Sequence, residues 1–147
     1  MQNLNFDDGY KSFMINEDPN RVIRFNPADV GILSRIQEAT DSIENGLNGL
    51  KEDFDLNPDG TPVSQMEQAA EAVRKVTNLV KEQINYIFNS DVSGAVFGRQ
   101  SPLSLVGGMP LYERFIETVM PVIKKTVQEE QKKSEKRVGK YVEMVRK

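Results

Sequence analysis

Apolar residues recur along this chain with two different periods, and the periods divide it. Phe13-Met14-Ile15 and Arg21-Val22-Ile23-Arg24-Phe25 flank the polar run Asn16-Glu17-Asp18-Pro19-Asn20. β-Branched and aromatic flanks around turn-forming residues predict an antiparallel hairpin. A lone hairpin is marginal in water, so this one should pack on helices or on another protein's sheet edge. Asn26-Pro27 then predicts a helix start, with Asn26 as cap and Pro27 at the first helical position.

Helical spacing takes over from there. Val30, Leu33, Ile36, Ile43, Leu47 and Leu50 form one amphipathic stripe, and Gly46 and Gly49 suggest that the helix frays near its end. A loop from Asp53 to Pro62 follows, with strong turn chemistry in Asn57-Pro58-Asp59-Gly60. Ser64 with Glu67 makes a capping box, and Met66, Ala69, Val73, Val76, Val80, Ile84 and Ile87 make the stripe of a second helix.

A third helix is predicted from Pro110 onward, with Leu111, Phe115, Val119, Val122, Ile123 and Val127 as its stripe. Gln128 to Arg137 then contains no apolar residue, after which Val138, Tyr141, Val142 and Val145 resume the 3–4 spacing. A continuous helix of this span would measure about 57 Å. A compact domain of this chain length is roughly 38 Å across. The end of the helix must therefore project into solvent or meet a partner. The expected fold is mainly α: one domain, a small helical bundle with an N-terminal β-hairpin and a long C-terminal helix. Residues 1–26 form the hairpin region, 27–127 the helical core, and 128–147 a polar, basic helical extension.

Residues 91–110 break both periods. Gly94, Gly98, Pro102, Gly107, Gly108 and Pro110 interrupt any long element, yet Val96, Phe97, Leu103, Leu105, Val106 and Met109 are apolar. A loop this long either caps the end of the bundle or binds a partner.

Composition narrows the chemistry. The 147 residues are 38% apolar and 28% charged, and there is no Cys, His or Trp. Thiol nucleophiles, Ser-His and Cys-His dyads, disulfides and nearly every zinc site are thereby excluded. Asp55-Leu56-Asn57-Pro58-Asp59-Gly60 opens like a calcium-binding EF-hand loop, but the position of its bidentate acid holds Met66. A plain interhelical turn is the better reading. Asp7-Asp8 and Glu17-Asp18 are read as solvated turn residues rather than an acid–base pair. No catalytic residue, cofactor or metal is assigned, and the pattern points to binding rather than catalysis.

The net charge of −3 conceals a basic end, since Lys124 to Lys147 carries nine Lys or Arg against four Glu. Three of those Glu interrupt the stretch between Glu129 and Glu135, and Tyr141 is its one aromatic, which argues against nucleic acid. No apolar run is long enough for a membrane span, and Met1 to Asp8 has neither the basic nor the apolar region of a secretory leader.

Three stretches carry a resemblance. They are Asn5-Phe6-Asp7-Asp8-Gly9 with Phe13-Met14-Ile15-Asn16, then Arg24-Phe25-Asn26-Pro27-Ala28-Asp29-Val30-Gly31-Ile32-Leu33, and then Phe97-Gly98-Arg99-Gln100-Ser101-Pro102-Leu103-Ser104 leading into Leu111-Tyr112-Glu113-Arg114-Phe115. In this order the chain resembles tail assembly chaperones of phages and prophages of Gram-positive hosts. The resemblance implies a mainly helical protein of the host cytoplasm that binds the tape measure protein, keeps it soluble, and helps recruit tail tube subunits. It brings no catalytic motif. The alternatives are a minor virion protein, such as a tail connector or completion protein, and a nucleic-acid-associated regulator. The residues expected to bind a partner, or a second copy of the chain, are Val96, Phe97, Leu103, Leu105, Val106 and Met109, together with Val138, Tyr141, Val142 and Val145.

Overall fold

The computed structural model describes residues 1–53 and 62–146, with the backbone alone for 51–53, 62–65, 141, 143, 145 and 146. The hairpin forms where alternation predicts it, β1 (Lys11–Ile15) antiparallel to β2 (Asp18–Phe25). Its turn is tighter than the polar run suggests. Asn16 and Glu17 make it, both with positive φ (51° and 62°), the primed geometry whose twist suits a two-residue connection. Lys11 to Met14 pair with Phe25 to Val22, but Ile15 pairs with Asp18, which leaves Pro19, Asn20 and Arg21 as a bulge. A proline has no ladder hydrogen bond to lose there.

Helix α1 (Gly31–Asp53) starts four residues later than Asn26-Pro27 predicts. The Asn26 side chain accepts from Ala28 N–H at 2.8 Å, and the Asp29 carboxylate accepts from Gly31 N–H at 3.0 Å. Two successive side-chain turns therefore come before the helix, and Asp29 rather than Asn26 caps it. Ile36, Ile43, Leu47 and Leu50 of the predicted stripe pack on the core, and only its beginning differs. Ile32, Ala39 and Ile43 are buried, whereas Val30 and Leu33 are exposed. Gly46 and Gly49 do not end the helix. Gly46 lies where α2 (Pro62–Phe88) comes closest, and a Cβ there would overlap Leu79 Cδ2.

α2 buries Ala72, Val76, Val80, Ile84, Ile87 and Phe88, while Met66 and Val73 at the predicted stripe are exposed. The turn Asn57–Gly60 lies outside the described residues, as do most of the EF-hand-like segment and the Ser64 side chain. After α2 come a short α3 (Ser93–Phe97), a two-residue ladder of β3 (Leu105–Val106) with β4 (Met109–Pro110), and α4 (Leu111–Arg146). Helices α1 and α4 offer the core the same spacing. Ile32, Ile36, Ala39, Ile43 and Leu47 correspond to Tyr112, Ile116, Val119, Ile123 and Val127, with matching burial at each position.

The fold is thus mainly helical, a small bundle with an N-terminal hairpin and a long C-terminal helix. A chain of aromatic contacts joins the parts. Phe13 stacks on Phe25 at 4.9 Å, Phe25 meets Phe88 edge-on at 4.9 Å, and Phe88 and Phe97 meet Phe115 at 5.7 and 6.4 Å. At the end of the α1–α2 pair, Arg35 donates from Nε to the Ile87 carbonyl and from Nη2 to Asp29, both at 2.8 Å. One cation thereby closes a carbonyl of the last turn of α2 and anchors the cap of α1. The hydrogen bond from Arg35 holds the Asp29 carboxyl below its ordinary value.

Phe25→Ala is expected to cost about 3–5 kcal/mol in urea unfolding, because it empties a site that the core cannot close. Arg35→Met is expected to cost about 1–2 kcal/mol at neutral pH. The folded pKa of Asp29 is depressed, so its share of stability is present above the unfolded value of about 3.9 and is lost as acid protonates it. The stability gap between wild type and Arg35→Met should therefore narrow in urea titrations below about pH 4.

Candidate partner-binding surfaces

The apolar residues of 91–110 divide into a buried group and an exposed group. Asn85 Oδ1 accepts from Val92 N–H (2.8 Å) and Ser93 N–H (2.9 Å), satisfying the free amides at the start of α3. Arg21 closes the other end, donating to the carbonyls of Ala95 (2.7 Å) and Val96 (2.5 Å). Held at both ends, α3 turns Val96 and Phe97 inward, where they are buried in the core. Both were expected at a partner-binding surface; in this fold they are buried, and they also border the groove described below. Leu103 and Met109 are half-buried.

Leu105 and Val106 stay at the surface, 68% and 51% exposed. They lie on the β3–β4 hairpin, whose turn is Gly107-Gly108 with φ of 61° and 79°. Two consecutive positive φ values favour glycine at both positions. Arg114 Nε donates to the Val106 carbonyl at 2.7 Å and ties this hairpin to α4.

The second expected surface is the end of α4. The helix has 36 residues, about 54 Å at 1.5 Å per residue, and Pro121 does not end it. Gln128 to Lys140 are all exposed, as are Val142 and Met144. Val138 and Val142 sit one turn apart on one side of the helix, 47% and 39% exposed. The side chains of Tyr141 and Val145 lie outside the described residues.

One feature did not emerge from the sequence. Between the hairpin, α3 and the first turns of α4 lies a groove of about 460 Å³. Phe13, Ile15 and Ile23 form its strand wall with Met14, and Leu111, Phe115, Val119 and Val122 form its helix wall. Its lining carries two charges, Arg21 and Arg114, and no acid. Neither guanidinium has a carboxylate partner among the described ion pairs. Val96 and Phe97 of α3, expected from the sequence to bind a partner, also line it, whereas the strand and α4 residues read as strand and core because three distant segments make the groove. The available signal was the hairpin's need for a packing partner.

Titratable groups elsewhere are aimed at structure. Burial, with the neighbouring Glu113 carboxylate, raises the Tyr112 phenol, and a hydrogen bond to Glu38 raises that of Tyr86. No three His, Cys, Asp or Glu side chains among the described residues come together to hold a metal ion. No helix among them is long and apolar enough to cross a membrane. In comparisons with known proteins, no family model, no curated protein and no solved structure matches this chain.

If the end of α4 is a surface rather than core, Val138→Ser with Val142→Ser should move the urea midpoint by no more than about 0.5 kcal/mol in stability. A large loss would place these residues in an interior.

Proposed function

We propose that this chain is a non-catalytic binding protein of the tail assembly chaperone kind, which keeps a tape measure protein soluble and helps recruit tail tube subunits. One observation carries the reading: α4 continues beyond its own core, and its exposed side chains there include Val138, Val142 and Met144. A helix with an apolar stripe and no cover suits a helical client, which would pack against the stripe as in other helix-mediated recognition. The net positive charge of the same stretch lets it meet acidic partners as well. Leu105 and Val106 add a second exposed apolar patch on a hairpin tied to the same helix. The host cytoplasm is where such a protein would act.

The test is co-expression with a tape measure protein and its tail genes, followed by tagged purification and mass spectrometry. The tape measure protein should stay in the soluble fraction and co-purify, and the Val138→Ser, Val142→Ser variant should lose it. Purified phage particles should lack the chain. Its presence in particles, with no effect on tape measure solubility, would replace the chaperone reading by that of a virion component.

A further inference from the structure

The groove and the N-terminal arm of the protein match each other in chemistry. The arm, residues 1–8, forms no helix or strand, and its Leu4 and Phe6 are 91% and 81% exposed. In an extended segment these two side chains lie on the same side, and Asp7-Asp8 follow directly. The arm is thus a short apolar and acidic peptide. The groove is apolar, lined by Phe13, Phe115 and Val122 among others, and its only charges are the guanidiniums of Arg21 and Arg114. At about 460 Å³ it has the size of a ligand pocket. A space of that volume suits a few inserted side chains.

The arm does not lie in the groove of its own chain. Asp7 Oδ1 accepts from Gly9 N–H at 2.9 Å and Asp8 Oδ1 from Tyr10 N–H at 3.3 Å, while Asn26 Nδ2 donates to the Asp8 carbonyl at 3.3 Å. Gly9 has φ of +78°, and a Cβ there would come within 2.7 Å of Asn26. These contacts set the direction in which the arm leaves β1, and along it Leu4 and Phe6 meet solvent.

We infer that the groove receives the N-terminal arm of a second copy of this chain, with Leu4 and Phe6 inserted and Asp7 and Asp8 facing Arg21 and Arg114. Reciprocal exchange of two arms closes a two-fold dimer, the commonest closed arrangement of identical subunits. Each copy then covers the other's groove and withdraws two highly exposed apolar side chains from water. The inference stands apart from the client-binding reading, which concerns the far end of α4.

Sedimentation equilibrium of the full chain over a range of concentrations tests it. The wild type should dimerise. Burial of a Phe or Leu side chain is worth about 1.5–3 kcal/mol, so Leu4→Ser with Phe6→Ser should weaken association by about tenfold or more. Those residues are almost wholly exposed, so the variant stays folded. Met14→Glu, an exposed position at the groove, should also give a monomer, because it sets an acid against Asp7 and Asp8. Mixing Met14→Glu with the arm variant leaves one intact arm and one intact groove, and a heterodimer should form. Arg114→Glu should weaken the dimer, and Asp7→Lys with Asp8→Lys should restore it. A monomer at every concentration would overturn the inference. So would a dimer that survives the arm variant, or one that dissociates only with Val138→Ser and Val142→Ser; either result leaves the chaperone test untouched.

Discussion

A two-stranded hairpin in water lacks the apolar burial to persist, and here its persistence rests on Phe25. That side chain ends β2, stacks on Phe13 of the opposite strand and meets Phe88 at the last turn of α2. Phe88 passes the contact to Phe115 of α4, which also meets Phe97 of α3. Every element that walls the groove is joined through this aromatic series. Offset and edge-to-face pairs add roughly 0.5–1.5 kcal/mol each beyond their burial, and they also restrict relative orientation. Without Phe25 the hairpin has no fixed seat, and the groove loses one of its walls.

Arginine does a second kind of joining. Arg21, Arg35 and Arg114 each donate to a backbone carbonyl at the end of another element: the last residues of α3, the last turn of α2 and the edge of β3. Carbonyls in the last turn of a helix, such as those of α2 and α3, have no intrahelical partner, and a guanidinium presents several donors in a rigid fork. Arg35 is neutralised by Asp29, but Arg21 and Arg114 have no such carboxylate among the described ion pairs. The hydrogen bonds that tie α3 and β3 in place thus leave positive charge at the groove. Each of those two residues both ties an element in place and gives the groove its charge.

The groove and the exposed apolar stripe lie at opposite ends of α4. Its first turns, half-covered by the hairpin and α3, form a concave apolar site with positive charge. Its last turns form a convex, basic rod with Val138 and Val142 outward. A concave site of this size favours short extended segments, and an uncovered helix favours other helices. One long element therefore carries two apolar surfaces of different shape.

The periods of the sequence were sufficient for the hairpin, for three long helices and for a third helix longer than its own core. Periodicity is local, and alternation or 3–4 spacing survives in any context that buries one face. The absence of Cys and His likewise followed from composition alone. What the tertiary structure decided is which apolar residues are interior. Val30, Leu33 and Met66 fit a helical period and are exposed, and Val30 lies outside α1 because side-chain turns at Asn26 and Asp29 delay its start. Val96 and Phe97 looked like surface in a glycine-rich stretch, and are core because Asn85 and Arg21 close the ends of α3. The groove arises from segments about a hundred residues apart, and no local pattern encodes how distant walls meet.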